Sequence, residues 1–116
     1  MIRSVLYLEA RDGDDDSLVA HFKTAGILER SARHPGCRGA EIALPCAGQG
    51  PVLVTALWDS PSAYESWRAD PWRVDSSPGL SAHLAARSAD PPAGVLYRIV
   101  HEVTVGAEPS NQDDAR

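Results

Sequence analysis

The chain has 116 residues, a formal net charge of −5, 43% hydrophobic and 6% aromatic residues. This length suits one domain, and the composition excludes a disordered chain or a membrane protein, since no apolar run approaches the ~20 residues of a spanning helix. The negative charge argues against nucleic-acid binding, which needs a basic face. With no signal-peptide pattern and no disulfide framework, we expect a location in the reducing cytoplasm.

The first predicted elements are a strand and a helix. Residues 2–9 alternate in polarity and are rich in branched side chains, which is typical of a strand. The carboxylates of residues 14–16 then suit a helix N-terminus, because they can accept hydrogen bonds from free backbone N–H groups and oppose the helix dipole. An apolar stripe at three- and four-residue spacings continues this helix to Ala32, and Pro35-Gly36 ends it.

The middle of the chain predicts two strands and a second helix. Residues 37–44 form the first of these strands. Residues 52–58 are almost continuously apolar, so we expect this strand to be buried on both faces. The next helix begins at Pro61, which suits a first helical turn, and ends at Asp70-Pro71.

The last part of the chain predicts a short helix, a long strand and a tail. Residues 76–89 hold a helical pattern that begins after Pro78-Gly79. Residues 95–105 form the final strand. Residues 106–116 have no apolar anchor, so we expect a folded domain over residues 1–105 followed by a disordered tail.

The resulting order β-α-β-β-α-β predicts the α+β class and a ferredoxin-like split β-α-β fold, with a four-stranded antiparallel sheet. In that fold the helices cover one face of the sheet only. The final strand places Val95, Tyr97 and Val103 on one face and Leu96 and Val100 on the other. Since an apolar sheet face is costly to expose, we expect a homodimer that packs sheet against sheet as a closed α+β barrel.

Three aromatic residues are candidates for a ligand-binding wall. Tyr64 and Trp67 lie on the inward face of the second helix, where they either pack against the sheet or line a pocket for a flat ligand. Trp72 follows this helix and is expected to border the mouth of the pocket. Trp58 ends a buried strand and is assigned to packing.

Polar candidates lie on the predicted third helix and the first strand. His83 and Arg87 are four residues apart, so they share a helix face. That face is either a solvated stripe or a catalytic pair, in which His83 takes a proton and Arg87 stabilises a phenolate or enolate. Tyr7 could donate a hydrogen bond to a substrate oxygen inside the pocket. His101, in the last strand, is expected to be a buried structural histidine.

The sequence predicts no metal site. His34 and Cys37 form an isolated H-x-x-C without the second pair of ligands that a zinc site needs. We expect His34 and His21 to be exposed. Cys37 and Cys46 have no obvious basic neighbour, so packing is a better interpretation than nucleophilic chemistry.

The segment H-P-G-C and the later run V-L-V-T-A-L-W-D-S-P-S-A-Y-E-S-W resemble the antibiotic biosynthesis monooxygenase family, over residues 1–105. The resemblance implies short chains that dimerise as α+β barrels. It also implies several activities. Some members oxidise polyketide anthrones to quinones without metal or flavin, others degrade haem, and others open a ring of angucycline-type polyketides with reduced flavin.

Within that resemblance, Trp67 matches the helix tryptophan of the anthrone and haem branches, and His83 could match the haem-ligating histidine. The pocket asparagine of both branches is missing, because the only asparagine is Asn111 in the tail. This departure disfavours haem degradation, puts the simple anthrone mechanism in doubt and makes flavin-assisted ring opening relatively more attractive.

The resemblance therefore implies an oxygenase that acts on a polycyclic aromatic polyketide in antibiotic biosynthesis. We expect no tightly bound cofactor, with reduced flavin (FADH2 or FMNH2) as a diffusible co-substrate from a separate reductase. The chain lacks a dinucleotide-binding fingerprint, so such a flavin would bind by other means. The alternatives are a polyketide cyclase on the same fold and a non-catalytic dimer that binds a pathway intermediate.

Overall fold

A computed structural model describes residues 1–86 and 92–106 of the chain. A short 3-10 turn, Arg11–Gly13, separates the first strand from the first helix. The strands and longer helices follow in the order β1 (Ile2–Leu8), α1 (Asp15–Ala25), α2 (Ile27–Ala32), β2 (Cys37–Ala43), β3 (Val52–Trp58), α3 (Pro61–Arg68), α4 (Pro71–Ser81) and β4 (Val95–Arg98). In the described ranges, no helix has the length and apolar character needed to cross a membrane.

The four strands form one sheet in the order β2-β3-β1-β4. Each neighbouring pair is antiparallel, and β1 lies in the interior of the sheet between β3 and β4. This order and the helices packed on one face confirm the predicted α+β ferredoxin-like fold. The inner face carries the alternating buried residues of β3, which are Val52, Val54, Ala56 and Trp58.

The predicted first helix is in fact divided into α1 and α2. Gly26 adopts the left-handed conformation, with φ of 68°, and its N–H bonds to the carbonyl of Phe22. A glycine in this conformation is a common helix terminator because it has no Cβ to clash. The apolar stripe continues across the break, and for this reason the periodicity alone predicted one helix.

The third predicted helix begins earlier than the sequence pattern indicated. Asp70 accepts a hydrogen bond from the N–H of Trp72, and Pro71 occupies the first turn of α4. Proline fits that position because its missing N–H would have no partner there. The predicted bounds of 76–89 for this helix are therefore wrong, and Leu84 forms an isolated bridge with Ala10 inside the core.

The final strand is shorter than the predicted range of 95–105. β4 pairs with β1 up to Arg98, opposite Ile2, and the N–H of Ile99 donates to the carbonyl of Met1. Beyond this point β1 offers no further residues to pair with. His101 is exposed, so its predicted structural burial is wrong. The predicted disorder of the tail concerns residues that, apart from Gly106, lie outside the described range.

The outward-facing residues of β3 are less buried than the sequence pattern predicted. Leu53, Thr55 and Leu57 are half-buried, so in the single chain β3 is fully buried on its inner face only. The outward residues of β1 and β4 are more open, and Tyr7 and Tyr97 have 55% and 49% of their surface exposed. The helix-free face therefore remains available for contact.

We expect Gly36→Ala to destabilise the fold more than Gly48→Ala. Both glycines have positive φ, 89° and 79°, but a Cβ at position 36 would lie 2.6 Å from the Cβ of Ala63, whereas nothing lies within 4 Å at position 48. The close contact with α3 should cost about 1–3 kcal/mol beyond the shared backbone strain. Urea unfolding of both variants measures the difference, and equal losses would contradict this packing.

Candidate functional site

A cavity lies between the inner face of the sheet and the helices α2, α3 and α4. The space open to the centres of water-sized molecules is about 60 Å³, which is room for a handful of waters. No residue of α4 is fully buried. α4 therefore forms one wall of the cavity with side chains that are half-buried or exposed.

Aromatic side chains form most of one wall. The rings of Trp67 and Trp72 stack with 6.2 Å between centroids, and Tyr64 meets Trp58 edge-on at 5.7 Å. The guanidinium of Arg30, on α2, lies 5.1 Å above the Trp72 ring. The structure thus brings the three aromatic residues predicted for substrate binding to one cavity. Trp72 follows α3, as expected, but it lies within the helix α4.

Two hydrogen bonds hold this wall in place. The indole N–H of Trp58 donates to the Oγ of Ser4 over 2.9 Å, inside the core. The hydroxyl oxygen of Tyr64 accepts from the N–H of Gly94 over 2.6 Å. A side chain at Gly94 would clash with that hydroxyl, because a Cβ there would lie only 2.5 Å from it.

Arg73 is a cavity residue that the sequence interpretation missed. It lies on α4, and its Nη2 donates to the carbonyl of Pro92 over 2.9 Å. Burial lowers the pKa of the guanidinium, and the nearby Arg68 lowers it further, while Tyr64 acts in the opposite direction. The sequence signal that could have located Arg73 was Asp70-Pro71. A helix that begins there determines which residues of α4 face the sheet.

Tyr7 does not lie in this cavity. The alternation of β1 directs Ser4 and Leu6 inward, and Tyr7 lies on the opposite face of the sheet. Its hydroxyl is 3.4 Å from that of Tyr97, and this hydrogen bond raises the pKa of Tyr7. The expectation that Tyr7 donates to a substrate inside the pocket is therefore wrong.

His83 also lies away from the cavity. It follows the end of α4, where its Nδ1 is 3.2 Å from the Oγ of Ser17 and its ring is 4.6 Å from that of His21. It lines a separate surface cleft with Arg11. Since α4 ends at Ser81, the four-residue spacing to Arg87 does not define a shared helix face. Arg87 itself lies outside the described residues.

His34 supports the back of the aromatic wall rather than being exposed. Its Nε2 is 3.0 Å from the Oγ of Ser66, and its Nδ1 is 3.8 Å from a carboxylate oxygen of Asp70. Its ring meets that of Trp67 edge-on at 5.8 Å. Across residues 1–86 and 92–106, no three His, Cys, Asp or Glu side chains cluster closely enough to hold a metal ion.

The fold and the aromatic cavity define a small α+β domain with a mostly apolar cavity between its sheet and its helices. Residues 1–72 match the sequence model of the antibiotic biosynthesis monooxygenase family. The protein belongs to that family. No curated protein matches the chain significantly.

Solved structures share this fold at low sequence identity. Rv0793 of Mycobacterium tuberculosis has a TM-score of 0.68 and 17% identity, over 89% of this chain and 98% of its own. A provisionally named antibiotic biosynthesis monooxygenase of Deinococcus radiodurans has a TM-score of 0.68 and 18% identity, over 92% and 100%. The heme degrader MhuD of M. tuberculosis has a TM-score of 0.59 and 20% identity, over 90% and 100%.

We expect the stability of the protein to fall as the pH drops below about 6.5, in part because of His21. Burial and then the charge of His83 lower the pKa of His21 from its ordinary value of 6.5. The unfolded chain therefore binds this proton more readily, and the stabilisation present above pH 6.5 is lost on acidification through the folded-state pKa.

Urea unfolding at pH 7.5 and pH 5.5 measures this effect. His21→Gln should show a smaller loss of unfolding free energy between the two pH values than the wild type. Lys23→Gln, an exposed change on the same helix, is the control and should keep the wild-type difference. An unchanged pH dependence in His21→Gln would contradict the role of this histidine.

Proposed function

We propose that this protein is an oxygenase acting on a polycyclic aromatic polyketide intermediate in antibiotic biosynthesis. The observation that carries this proposal is the wall formed by Tyr64, Trp67 and Trp72 on a mostly apolar cavity. Rigid rings offer a large contact area to a flat ligand at little cost in conformational entropy. Membership of the antibiotic biosynthesis monooxygenase family supports the reaction class.

The proposed reaction oxidises an anthrone-type ring carbon with dioxygen. Loss of a proton from the ring CH2 gives an electron-rich enolate, which transfers electrons to dioxygen, and a C–O bond forms at that carbon. Elimination of water then leaves a quinone carbonyl. Overall, CH2 and O2 become C=O and H2O, so this route needs no external reductant.

The protein supplies binding and orientation for this reaction. No described residue lining the cavity is a carboxylate or an imidazole, so the substrate proton passes to solvent water. The role that the sequence interpretation gave to His83 as a base is not part of this proposal, because His83 bonds to Ser17 in a separate cleft. Ring opening would require reduced flavin from a separate reductase as a second substrate.

Haem does not fit the described lining of the cavity. MhuD is a heme degrader, and its structure holds two hemes in the active site. Among the described residues lining the cavity here there is no His, Cys or Met to serve as an axial ligand, and the oxygen of Tyr64 already accepts from Gly94. We therefore do not propose haem as the cofactor of this protein.

We also propose that the protein is a homodimer formed through the helix-free face of the sheet. Tyr7, Val95 and Tyr97 are exposed on that face. Val100 and Val103, which follow β4, have 80% and 79% of their area exposed. A second copy that covers the sheet removes this surface from water and completes the α+β barrel.

We expect Trp72→Leu to lower the apparent affinity for an anthrone substrate about three- to tenfold, because an aromatic contact contributes about 0.5–1.5 kcal/mol. Val74→Ala is the matched control, since Val74 lies two residues away on α4 and has 52% of its surface exposed. The measurement is oxygen consumption with purified protein at varied anthrone concentration.

The same assay separates the alternative activities. Quinone formation with one O2 consumed per anthrone, and no dependence on flavin, supports the proposed reaction. Consumption that begins only when reduced flavin and a benz[a]anthracene-type quinone are added supports ring opening. A product formed without oxygen uptake indicates a cyclase, and saturable binding without any product indicates a non-catalytic binding protein.

For the assembly, we expect light scattering of the purified protein to give a mass of about twice the 12.4 kDa of one chain. Tyr97→Glu should shift the protein toward the monomer, because it places a charge in the apolar contact. Lys23→Glu introduces the same side chain on the exposed surface of α1 and should leave the dimer intact. A monomeric wild type at micromolar concentration would contradict the homodimer.

A further inference from the structure

Arg73 is the only charged side chain on the cavity wall within the described part of the chain. Its guanidinium carries five N–H groups, and one nitrogen, Nη2, donates to the carbonyl of Pro92. Arg73 has no part in the ion pairs that the described residues form, which are His34–Asp70, Arg38–Asp59 and Arg68–Glu65. Within residues 1–86 and 92–106, the cation therefore lines the cavity without a carboxylate partner.

The surroundings of this cation are unfavourable when the cavity holds only water. Arg73 is half-buried beside aromatic and aliphatic side chains, and the positive charge of Arg68 is near enough to disfavour its own. Partial removal of a charge from water is costly unless an opposite charge offsets it. A ligand with a negative oxygen would offset that cost, whereas a neutral ligand of the same shape would not.

We propose that the cavity binds its aromatic ligand as an anion, a deprotonated phenol or carboxylic acid, with the negative oxygen on the Arg73 guanidinium and the rings against Trp67 and Trp72. The inference rests on the proposed function for the aromatic nature of the ligand. It adds that Arg73 determines specificity for charge.

A second arginine strengthens this local positive region. Arg30, on α2, places its guanidinium 5.1 Å above the Trp72 ring, so cations flank the aromatic wall from two helices. The whole chain has a net charge of −5, and without such a region it would repel an anionic ligand. For the proposed reaction, the anion is also the electron-rich form that reacts with dioxygen.

The test compares two fluorescent probes of similar shape, anionic 8-anilinonaphthalene-1-sulfonate and neutral N-phenyl-1-naphthylamine. Arg73→Met keeps most of the side-chain volume and removes the charge. We expect it to weaken binding of the sulfonate at least about tenfold, because a hydrogen bond to a charged group is lost. Binding of the neutral probe should change less than about threefold, which also shows that the cavity is intact.

Two further variants make the result specific. Arg73→Lys should retain part of the preference for the sulfonate, because lysine keeps the positive charge. It lacks the planar guanidinium, which can form two parallel hydrogen bonds to an anion. Arg38→Gln removes an exposed arginine that pairs with Asp59 and should change neither affinity. Parallel weakening of both probes in Arg73→Met, or an unchanged sulfonate affinity, would overturn the inference.

A phenolic dye provides an independent measurement. 1,2-Dihydroxyanthraquinone changes colour on deprotonation, so its pKa can be read on the protein. A tenfold preference for the anion corresponds to a pKa about one unit lower for the bound dye. We expect this decrease in the wild type and its loss in Arg73→Met, and an unchanged or raised pKa in the wild type would overturn the inference.

These binding measurements are distinct from the turnover assay. If the anion preference is present but no substrate is oxidised, the oxygenase proposal fails and the charge specificity of the cavity stands. If an anthrone is oxidised with equal efficiency by the wild type and Arg73→Met, and both probes bind alike, the oxygenase proposal stands and this inference fails.

Discussion

The buried hydrogen bond between the indole of Trp58 and the hydroxyl of Ser4 joins the parts of this structure on which the cavity depends. Trp58 has only 1% of its surface exposed and ends β3, while Ser4 lies on β1. The same indole meets Tyr64 edge-on, so α3 is seated against the sheet through it. A buried N–H without an acceptor would cost about 1–3 kcal/mol. The hydroxyl of Ser4 supplies that acceptor, which an alanine at this position would not.

The two faces of the sheet have different roles. The inner face carries Trp58 and the cavity, closed by helices that approach it closely enough for Gly94 to contact the Tyr64 hydroxyl. The outer face carries Tyr7 and Tyr97, whose hydroxyls meet across neighbouring strands in the open. Successive side chains along a strand point to opposite faces of the sheet. Tyr7 points to the outer face, so its assignment to the pocket was wrong.

The electrostatics of the cavity differ from those of the whole molecule. The chain is acidic, with a net charge of −5, yet the cavity wall that the structure describes carries Arg73 and is flanked by Arg30. Burial and the neighbouring Arg68 both oppose the charge on Arg73. The net charge of the chain therefore bears on its solubility and on nucleic-acid binding. The preference of the cavity for a ligand depends instead on the position of Arg73 beside apolar side chains.

The amino-acid sequence by itself determined the class of fold and most strand boundaries, because the alternation in β1 and the apolar run of β3 are local patterns. It also selected Tyr64 and Trp67 as residues that either pack against the sheet or line a pocket, and Trp72 as a residue that follows their helix. It did not determine the end of β4, which depends on where β1 begins, or the face on which Tyr7 lies. The separation of His83 from the cavity and the placement of Arg73 within it were decided by the tertiary structure. Both follow from α4, which begins at Pro71 and ends at Ser81, because those limits set which side chains face the sheet.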